Sequence, residues 1–150
     1  MIGAIIVKSK VRSAFASLNR RDLPGFLSGW AEDATFIYPG NISVSGKMEG
    51  KKTIEGWFRK YLEQFPTLKF TLRSVSVQNI FAFGGTNEVT VDWDLNLTNR
   101  EGKDFQNSGA TTINVKKGRV VLVRDYIFDT EVLKKAWGEE KFCRSGSLRT

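Results

Sequence analysis

Three runs of apolar residues in the first half of the chain repeat at the spacing of a helix face. In the first run, between residues 4 and 20, apolar side chains recur every three or four positions, and the Lys and Arg side chains fall outside the stripe. Its members are Val7, Val11, Ala14, Phe15 and Leu18. A second, short run follows Asp22, which can cap a helix, and its members are Leu23, Phe26, Leu27 and Trp30. The third run ends at Pro66, and its members are Ile54, Trp57, Phe58, Tyr61, Leu62 and Phe65.

The rest of the chain alternates apolar and polar residues, which is the period of a strand. The first alternating run changes parity at residues 73–74, which predicts a bulge. Turns are predicted at 84–87, 99–102 and 116–118, between strands that begin near residues 68, 88, 103 and 120. Earlier in the chain, residues 33–38 predict a short strand and residues 41–52 a loop. Asp129 can cap a closing helix, which Gly138 ends.

Helices, an antiparallel meander and a final helix together predict an α+β domain. We expect three N-terminal helices packed in the concave face of a curved, mainly antiparallel sheet that forms a cone-shaped barrel, with a C-terminal helix. The space between sheet and helices would be a ligand pocket. Residues 1–138 would form this single domain, and residues 139–150 a basic, frayed tail.

The composition removes several classes of chemistry. The chain has no His and a single Cys. This excludes a His-containing catalytic triad, the common zinc sites that use His, and any internal disulfide. Carboxylates, Tyr, Lys and Arg remain as chemical groups, and we expect neither a metal nor an organic cofactor.

The net charge of +7 is concentrated at the two ends of the sequence. Residues 1–21 carry +5 and residues 134–150 carry +3, so no basic stripe runs through the body, and we expect no nucleic-acid partner. We interpret the charge as solvated helix faces and a tail, with affinity for anionic surfaces or acidic partners as the alternative. No run resembles a signal peptide or a membrane span, so we expect a cytoplasmic protein without membrane contact.

Four short motifs occur in order along the chain. They are Leu-x-x-Phe-Leu-x-x-Trp and Ala-Glu-Asp-Ala-Thr-Phe within 23–36, Gly-Lys-x-x-Ile-x-x-Trp-Phe at 50–58, and Arg-Asp-Tyr-x-Phe-Asp at 124–129. With them, residues 7–138 resemble the SnoaL-like branch of the nuclear transport factor 2-like superfamily. The resemblance implies the same α+β cone. It leaves the activity open, because this fold hosts isomerases, cyclases, epoxide hydrolases, dehydratases and non-catalytic binding proteins.

Asp125 is the first candidate for a catalytic group. It shares one strand face with Val121, Val123 and Ile127, so burial is expected to raise its pKa and make it a proton donor or acceptor near neutral pH. The alternative is a structural carboxylate paired with a Lys or with backbone N–H groups.

Asp92 and Asp94 share a strand face with polar neighbours, while the other face carries Trp93. The pattern alone is typical of the wet side of a strand. The resemblance to limonene-epoxide-hydrolase-like members instead implies that Asp94 and Asp125 form a catalytic acid/base pair with Asp92 in the pocket. Those hydrolases hold the attacking water with a Tyr and an Asn on the first strand. The matching positions in this chain are Phe36 and Tyr38, which argues against epoxide hydrolysis.

Aromatic residues are the remaining candidates for the pocket wall. Tyr38, Trp57 and Tyr61 would bind the substrate. The two tyrosines are candidates because a buried hydroxyl needs a polar partner, and Trp57 because it would line the wall. Asn107 would add an amide, unless it is simply an exposed strand residue.

Two hypotheses of function follow. The first is a cofactor-independent acid/base enzyme of the isomerase, cyclase or dehydratase type, acting on a small, mostly apolar carbonyl or ring compound. The second is a non-catalytic module that binds a hydrophobic ligand or forms a homodimer through its sheet. If Asp92 and Asp94 face inward, the apolar row containing Trp93 faces outward and a second copy must cover it.

Overall fold

The structure of the protein, a computed structural model, describes residues 2–78 and 86–139. The helices are α1 (Ile2–Asn19), α2 (Leu23–Leu27), α3 (Lys51–Gln64) and α4 (Thr130–Trp137). The strands are β1 (Trp30–Tyr38), β2 (Gly46–Glu49), β3 (Thr67–Val77), β4 (Thr86–Thr98), β5 (Asp104–Lys116) and β6 (Arg119–Ile127).

The six strands form one sheet in the order β2-β1-β6-β5-β4-β3. β1 runs parallel to β6, and every other neighbouring pair is antiparallel. The curved sheet keeps two free edges, β2 and β3. The predicted α+β architecture with a curved, mainly antiparallel sheet is therefore confirmed, with one correction: the sheet is open and does not close into a barrel.

One face of the sheet carries the core. On β4 the apolar alternate residues are buried, namely Val89, Val91, Trp93, Leu95 and Leu97. They pack in one cluster with residues of α1, α2 and α3, so these helices cover the concave face. The apolar row that would have required a dimer is thus covered within the chain.

Local signals explain where the helices start and stop. The side chain of Asp22 accepts a hydrogen bond from the backbone N–H of Gly25 at 3.0 Å and caps α2. Asp129 accepts from Glu131 and Val132 and caps α4 in the same way. Gly138 ends α4 with φ at 77°, a conformation that favours glycine.

The structure differs from the sequence prediction at two connections. β2 lies inside the segment predicted to be a loop, and it pairs with β1 from Thr35↔Glu49 to Tyr38↔Gly46. β1 begins at Trp30, a residue that helical spacing had assigned to the second helix. Of the predicted turn at 84–87, Gly84 and Gly85 lie outside the described residues, as does the predicted tail from residue 140 onward.

Three of the described strand pairs contain a register shift, and the shifts on β3 and β6 bear on the sequence prediction. The bulge predicted at residues 73–74 is confirmed by a register shift between Leu72 and Ser74. A second one, which the sequence pattern did not reveal, leaves Val121 without its own partner between Val120 and Leu122 on β6.

Among residues 2–78 and 86–139, no helix has the length and apolar character needed to cross a membrane.

Candidate functional site

A cavity of about 710 Å³ lies between the concave face of the sheet and helices α1, α2 and α3. This volume is within the range of small-molecule sites, roughly 300–1,000 Å³. Most of its wall is apolar or aromatic. The aromatic lining residues are Phe15, Phe26, Trp30, Phe36, Tyr38, Trp57, Phe58, Tyr61, Phe70 and Trp93.

Asp125 is the one acidic side chain among the described residues that line this cavity. It lies on β6 between Val123 and Ile127, which also line the wall, as predicted. The bulge at Val121 alters the rest of that predicted row, because Val120 and not Val121 reaches the cavity. Asp125 is partly exposed, and the space to which it is exposed is the cavity.

A chain of two hydrogen bonds orients the Asp125 carboxyl group. The indole Nε1–H of Trp93 donates to Oγ1 of Thr111 at 2.9 Å, and Oγ1 of Thr111 donates to Oδ1 of Asp125 at 2.6 Å. An indole nitrogen can only donate, so the single hydrogen of the Thr111 hydroxyl remains for Asp125. Oδ1 therefore acts as an acceptor, and a proton bound to Asp125 is carried by Oδ2.

Burial raises the pKa of Asp125 from 3.8 to about 7. The apolar surroundings disfavour the charged form, and the hydrogen bond from Thr111 partly offsets this by stabilising the carboxylate. A carboxyl group that titrates near neutral pH can both give and take a proton under ordinary conditions.

Two tyrosine hydroxyls lie near Asp125 at the end of the cavity closed by α4. Burial is the main cause that raises the pKa of both Tyr38 and Tyr61 above the ordinary value, and the charge of Asp125 adds to it. Tyr38 Oη accepts a hydrogen bond from Nε1–H of Trp137 at 3.0 Å, so its own hydrogen is left for another acceptor. Both hydroxyls therefore stay protonated and can donate.

Trp57 is held against this pair of tyrosines. Its ring stacks on Tyr61 with the centroids 5.4 Å apart, and it contacts Tyr38 at 4.5 Å. Its Nε1–H donates to the backbone oxygen of Val44 at 2.9 Å, which fixes the ring from the outer side. The structure thus brings Tyr38, Trp57 and Tyr61 together with Asp125 around one cavity.

Asp92 and Asp94 lie on the opposite face of β4 from the cavity. Asp92 accepts a hydrogen bond from the Ser74 hydroxyl at 2.6 Å. Asp94 accepts one from the Ser108 hydroxyl at 2.6 Å and lies 3.6 Å from the Arg73 guanidinium. The expected pair of Asp94 and Asp125 is not formed, because alternation along β4 sends Trp93 inward and its two acidic neighbours outward.

Asn107 does not reach the main cavity either. Its amide nitrogen donates to the backbone oxygen of Asp129 at 2.9 Å, and its amide oxygen accepts from the Asp129 N–H at 3.2 Å. It borders a separate void of only about 20 Å³. Asn107 therefore joins β5 to the start of α4, and the prediction that it binds substrate needs correction.

Sequence reasoning missed Thr111 and Lys10 as lining residues. Thr111 has the same parity on its strand as Ile113, which is a signal for an inward position, but only the pairing of β4, β5 and β6 brings it between Trp93 and Asp125.

Among residues 2–78 and 86–139, no three His, Cys, Asp or Glu side chains gather as a metal site requires.

The cavity opens on the side where its lining residues are exposed. These belong to α1, to the turn between α2 and β1, and to the turn between β5 and β6. The exposed lining residues are Ile6, Ser9, Lys10, Ser13, Ser28, Gly29 and Gly118. We call this set the rim. The closed end, which holds Asp125 and the tyrosines, lies away from it.

The sequence profile of the SnoaL-like domain matches residues 11–123, about three quarters of the chain. The chain belongs to the SnoaL-like family. Its members are built as small-molecule pocket proteins on the nuclear transport factor 2-like fold, and the cavity described above has that form. No curated protein is significantly similar in sequence.

Solved structures show the same fold. A protein of unknown function from Burkholderia pseudomallei is 20% identical, with a TM-score of 0.74 over 87% of this chain and 96% of that one. A protein from a soil-derived mobile gene cassette is 23% identical, with a TM-score of 0.74 over 87% and 95%. A candidate isomerase from Bacillus subtilis is 26% identical, with a TM-score of 0.71 over 87% and 91%.

Proposed function

We propose that this SnoaL-like protein is a cofactor-independent acid/base enzyme that transfers a proton on a small, mostly apolar carbonyl or ring compound. The observation that carries the proposal is the Asp125 carboxyl group, which lines a cavity large enough for a ligand and has its pKa raised to about 7. Among the described residues, Asp125 has neither a Lys partner nor backbone N–H partners, which were the expectation for a structural carboxylate, and its hydrogen-bond partner is the Thr111 hydroxyl.

Each polar group at the closed end takes one part in the proposed reaction. Oδ2 of Asp125, the oxygen that Thr111 leaves free, removes a proton from the carbon next to a carbonyl group and returns it elsewhere on the product. The hydroxyls of Tyr38 and Tyr61 donate to the carbonyl oxygen as negative charge develops on it. Trp57 forms part of the wall against which the apolar body of the substrate packs.

Similarity supports the same reaction class at a coarse level. The Bacillus subtilis relative is described as a candidate isomerase, and an isomerisation that proceeds by proton transfer needs only a proton donor and acceptor. Epoxide hydrolysis is not favoured, because Asp94 lies across the sheet from Asp125 and cannot complete a carboxylate pair.

The test is turnover as a function of pH on a substrate found by screening cyclic and linear ketones. The wild type should show a titration near pH 7, from the Asp125 carboxyl group. Asp125→Asn should lower kcat at least about 100-fold, the range expected for loss of a general acid or base. Asp33→Asn, which changes an exposed Asp on β1, is the control and should leave kcat unchanged. Equal turnover by Asp125→Asn and wild type would end the proposal.

A non-catalytic ligand-binding module is the second candidate, and the aromatic wall of the cavity favours it. An apolar compound could be held by these rings whether or not Asp125 ionises. In that case Asp125→Asn would leave ligand affinity and every assayed rate unchanged.

A homodimer through the sheet stays a prediction, but its interface cannot be the apolar row of β4 from which it was inferred. The apolar row of β4 faces the cavity, so a dimer would use the outer face, where Tyr126 is 45% exposed and the nearby Phe128 is 69% exposed. Light scattering that gave the mass of one chain would exclude it.

A further inference from the structure

Two charged side chains line the cavity among the described residues, and they lie in different parts of it. Lys10 belongs to the exposed rim, and Asp125 lies beside Tyr38 and Tyr61 at the closed end. The sheet-side wall between the two ends follows β6 from Val120 to Asp125, which pair with Val115 and Thr111 on β5, so it is roughly 13 Å long at about 3.3 Å per residue of β5. This wall is apolar between those positions, so the cavity has one cationic end and one end with a titrating acid.

Lys10 is free to meet a ligand. It is exposed, and it makes no salt bridge with any residue in the described ranges. Ser9 and Ser13, one position before it and three after it on α1, also line the cavity and provide hydroxyl donors on the same side of the rim. An ammonium with neighbouring hydroxyls is suited to a carboxylate.

Two of the three rim segments carry cationic side chains and no acidic one. They are the rim part of α1, with Lys8, Lys10 and Arg12, and the turn between β5 and β6, where Lys117 and Arg119 flank Gly118. No Asp or Glu occurs between Asp104 and Asp125. The third segment, the turn between α2 and β1, has acidic neighbours in Asp22 and Glu32. Cationic charge on two sides of the mouth of a low-dielectric cleft attracts an anion and orients it toward those sides.

We propose that the ligand of this cavity is an amphiphilic carboxylic acid, whose carboxylate lies at Lys10 and whose apolar chain or ring system fills the interior. This deepens the proposed function, on which it rests for the use of the cavity, by naming the substrate class and its orientation. The acidic end of the ligand stays at the rim, because an ionised Asp125 repels it from the closed end. The neutral carbonyl or ring end then reaches Asp125 and the tyrosines.

Matched pairs of acid and methyl ester test the proposal without knowledge of the natural substrate. Dodecanoate and methyl dodecanoate provide a chain, and 2-naphthoate and methyl 2-naphthoate provide a ring. A purely apolar cavity binds the ester better, because the carboxylate must give up water. We expect the wild-type protein to bind the acid of at least one pair more tightly than its ester in equilibrium dialysis at low ionic strength, with the preference lost at high salt.

Variants of Lys10 separate its charge from the remaining surface. Lys10→Met should weaken acid binding by about three- to fivefold, the effect of one exposed ion pair, and leave ester binding unchanged. Lys10→Arg should retain the preference for the acid. Lys60→Met changes an exposed Lys on α3 outside the cavity lining and should have no effect.

Three results would overturn the proposal: tighter binding of the ester in both pairs, equal losses in Lys10→Met and Lys60→Met, or no binding of any of the four probes. Asp125→Asn should keep the preference for the acid, because it alters the other end of the cavity. A retained acid preference together with unaffected turnover in Asp125→Asn would therefore reject the acid/base function alone.

Discussion

Asp125 has two oxygens in different situations, and this asymmetry is set by a residue two strands away. The indole N–H of Trp93 on β4 donates to the Thr111 hydroxyl on β5, and this hydroxyl donates its hydrogen to Oδ1 of Asp125 on β6. The candidate base is thus aligned by cross-strand neighbours and keeps Oδ2 for a ligand.

Removal of the Thr111 hydroxyl tests this alignment. Thr111→Val loses the hydrogen bond that lowers the pKa of Asp125, so this pKa should rise above about 7. The carboxylic acid band of Asp125 in infrared difference spectra against Asp125→Asn reports the titration.

Thr112→Val is the matched control, because Thr112 pairs with Arg124 on the outer face of the sheet. It should leave the Asp125 titration where it is in the wild type. An unchanged titration in Thr111→Val would mean that the hydrogen bond does not stabilise the carboxylate.

Sequence patterns predicted some site residues well and others badly, for physical reasons. The apolar neighbours of Asp125 indicated its burial, and the structure places it in the cavity. For Asp92 and Asp94 two predictions competed. The family resemblance implied a position in the pocket, which was wrong, and the alternation pattern favoured the solvated outer face, where they lie. Thr111 was missed because its role depends on two strand pairings that no local pattern contains.

At the level of elements, the pairing of β4 with β5 depends on a glycine opposite the large indole of Trp93. A Cβ placed on Gly109 would lie 2.7 Å from the Trp93 ring and 2.1 Å from the backbone oxygen of Tyr126. The ring needs this space to lie over β5 and reach Thr111. Gly109 is therefore required for packing at the site.

Gly109→Ala should lower the free energy of unfolding by about 3 kcal/mol, because the added methyl group cannot avoid backbone atoms. Urea denaturation measures the change. Gly56→Ala on α3, where an added Cβ meets nothing within 4 Å, should instead raise stability by about 0.5–1 kcal/mol. Similar effects of the two substitutions would show that the space over Gly109 is not needed.

Long periodic elements were predictable from the sequence, and short or polar ones were not. α1, α3 and the strands β3 to β6 follow clear helical or alternating patterns. β2 has four residues, none of them buried, so only its pairing with β1 defines it as a strand. The bulge at Val121 was hidden because β6 is apolar on both sides of it.

For the molecule as a whole, burial of Asp125 makes stability depend on pH. Its pKa is about 7 in the folded protein and 3.8 when exposed. Below pH 3.8 the carboxyl group is neutral in both the folded and the unfolded chain, and it does not lower the free energy of unfolding. As the pH rises from 3.8 toward 7, the unfolded chain ionises more readily than the folded one, so the free energy of unfolding falls. The cost at alkaline pH is up to roughly 4 kcal/mol.

Asp125→Asn, which cannot ionise, should therefore gain stability over the wild type as the pH is raised. We expect the difference in free energy of unfolding to grow by about 2–4 kcal/mol between about pH 4 and about pH 8, in urea denaturation. Asp33→Asn should show a difference that varies much less with pH. A constant difference for Asp125→Asn would contradict a raised pKa in the folded state.

The parallel contact between β1 and β6 has a consequence for biosynthesis. The end of β1 at Tyr38 and the start of β6 at Arg119 are 81 residues apart, yet the strands are neighbours. A ribosome that adds roughly 5–20 residues per second leaves β1 without this neighbour for about 4 to 16 seconds. Throughout that interval the nascent β1 presents the backbone N–H and C=O groups of this edge without a partner, and another growing chain could pair with them.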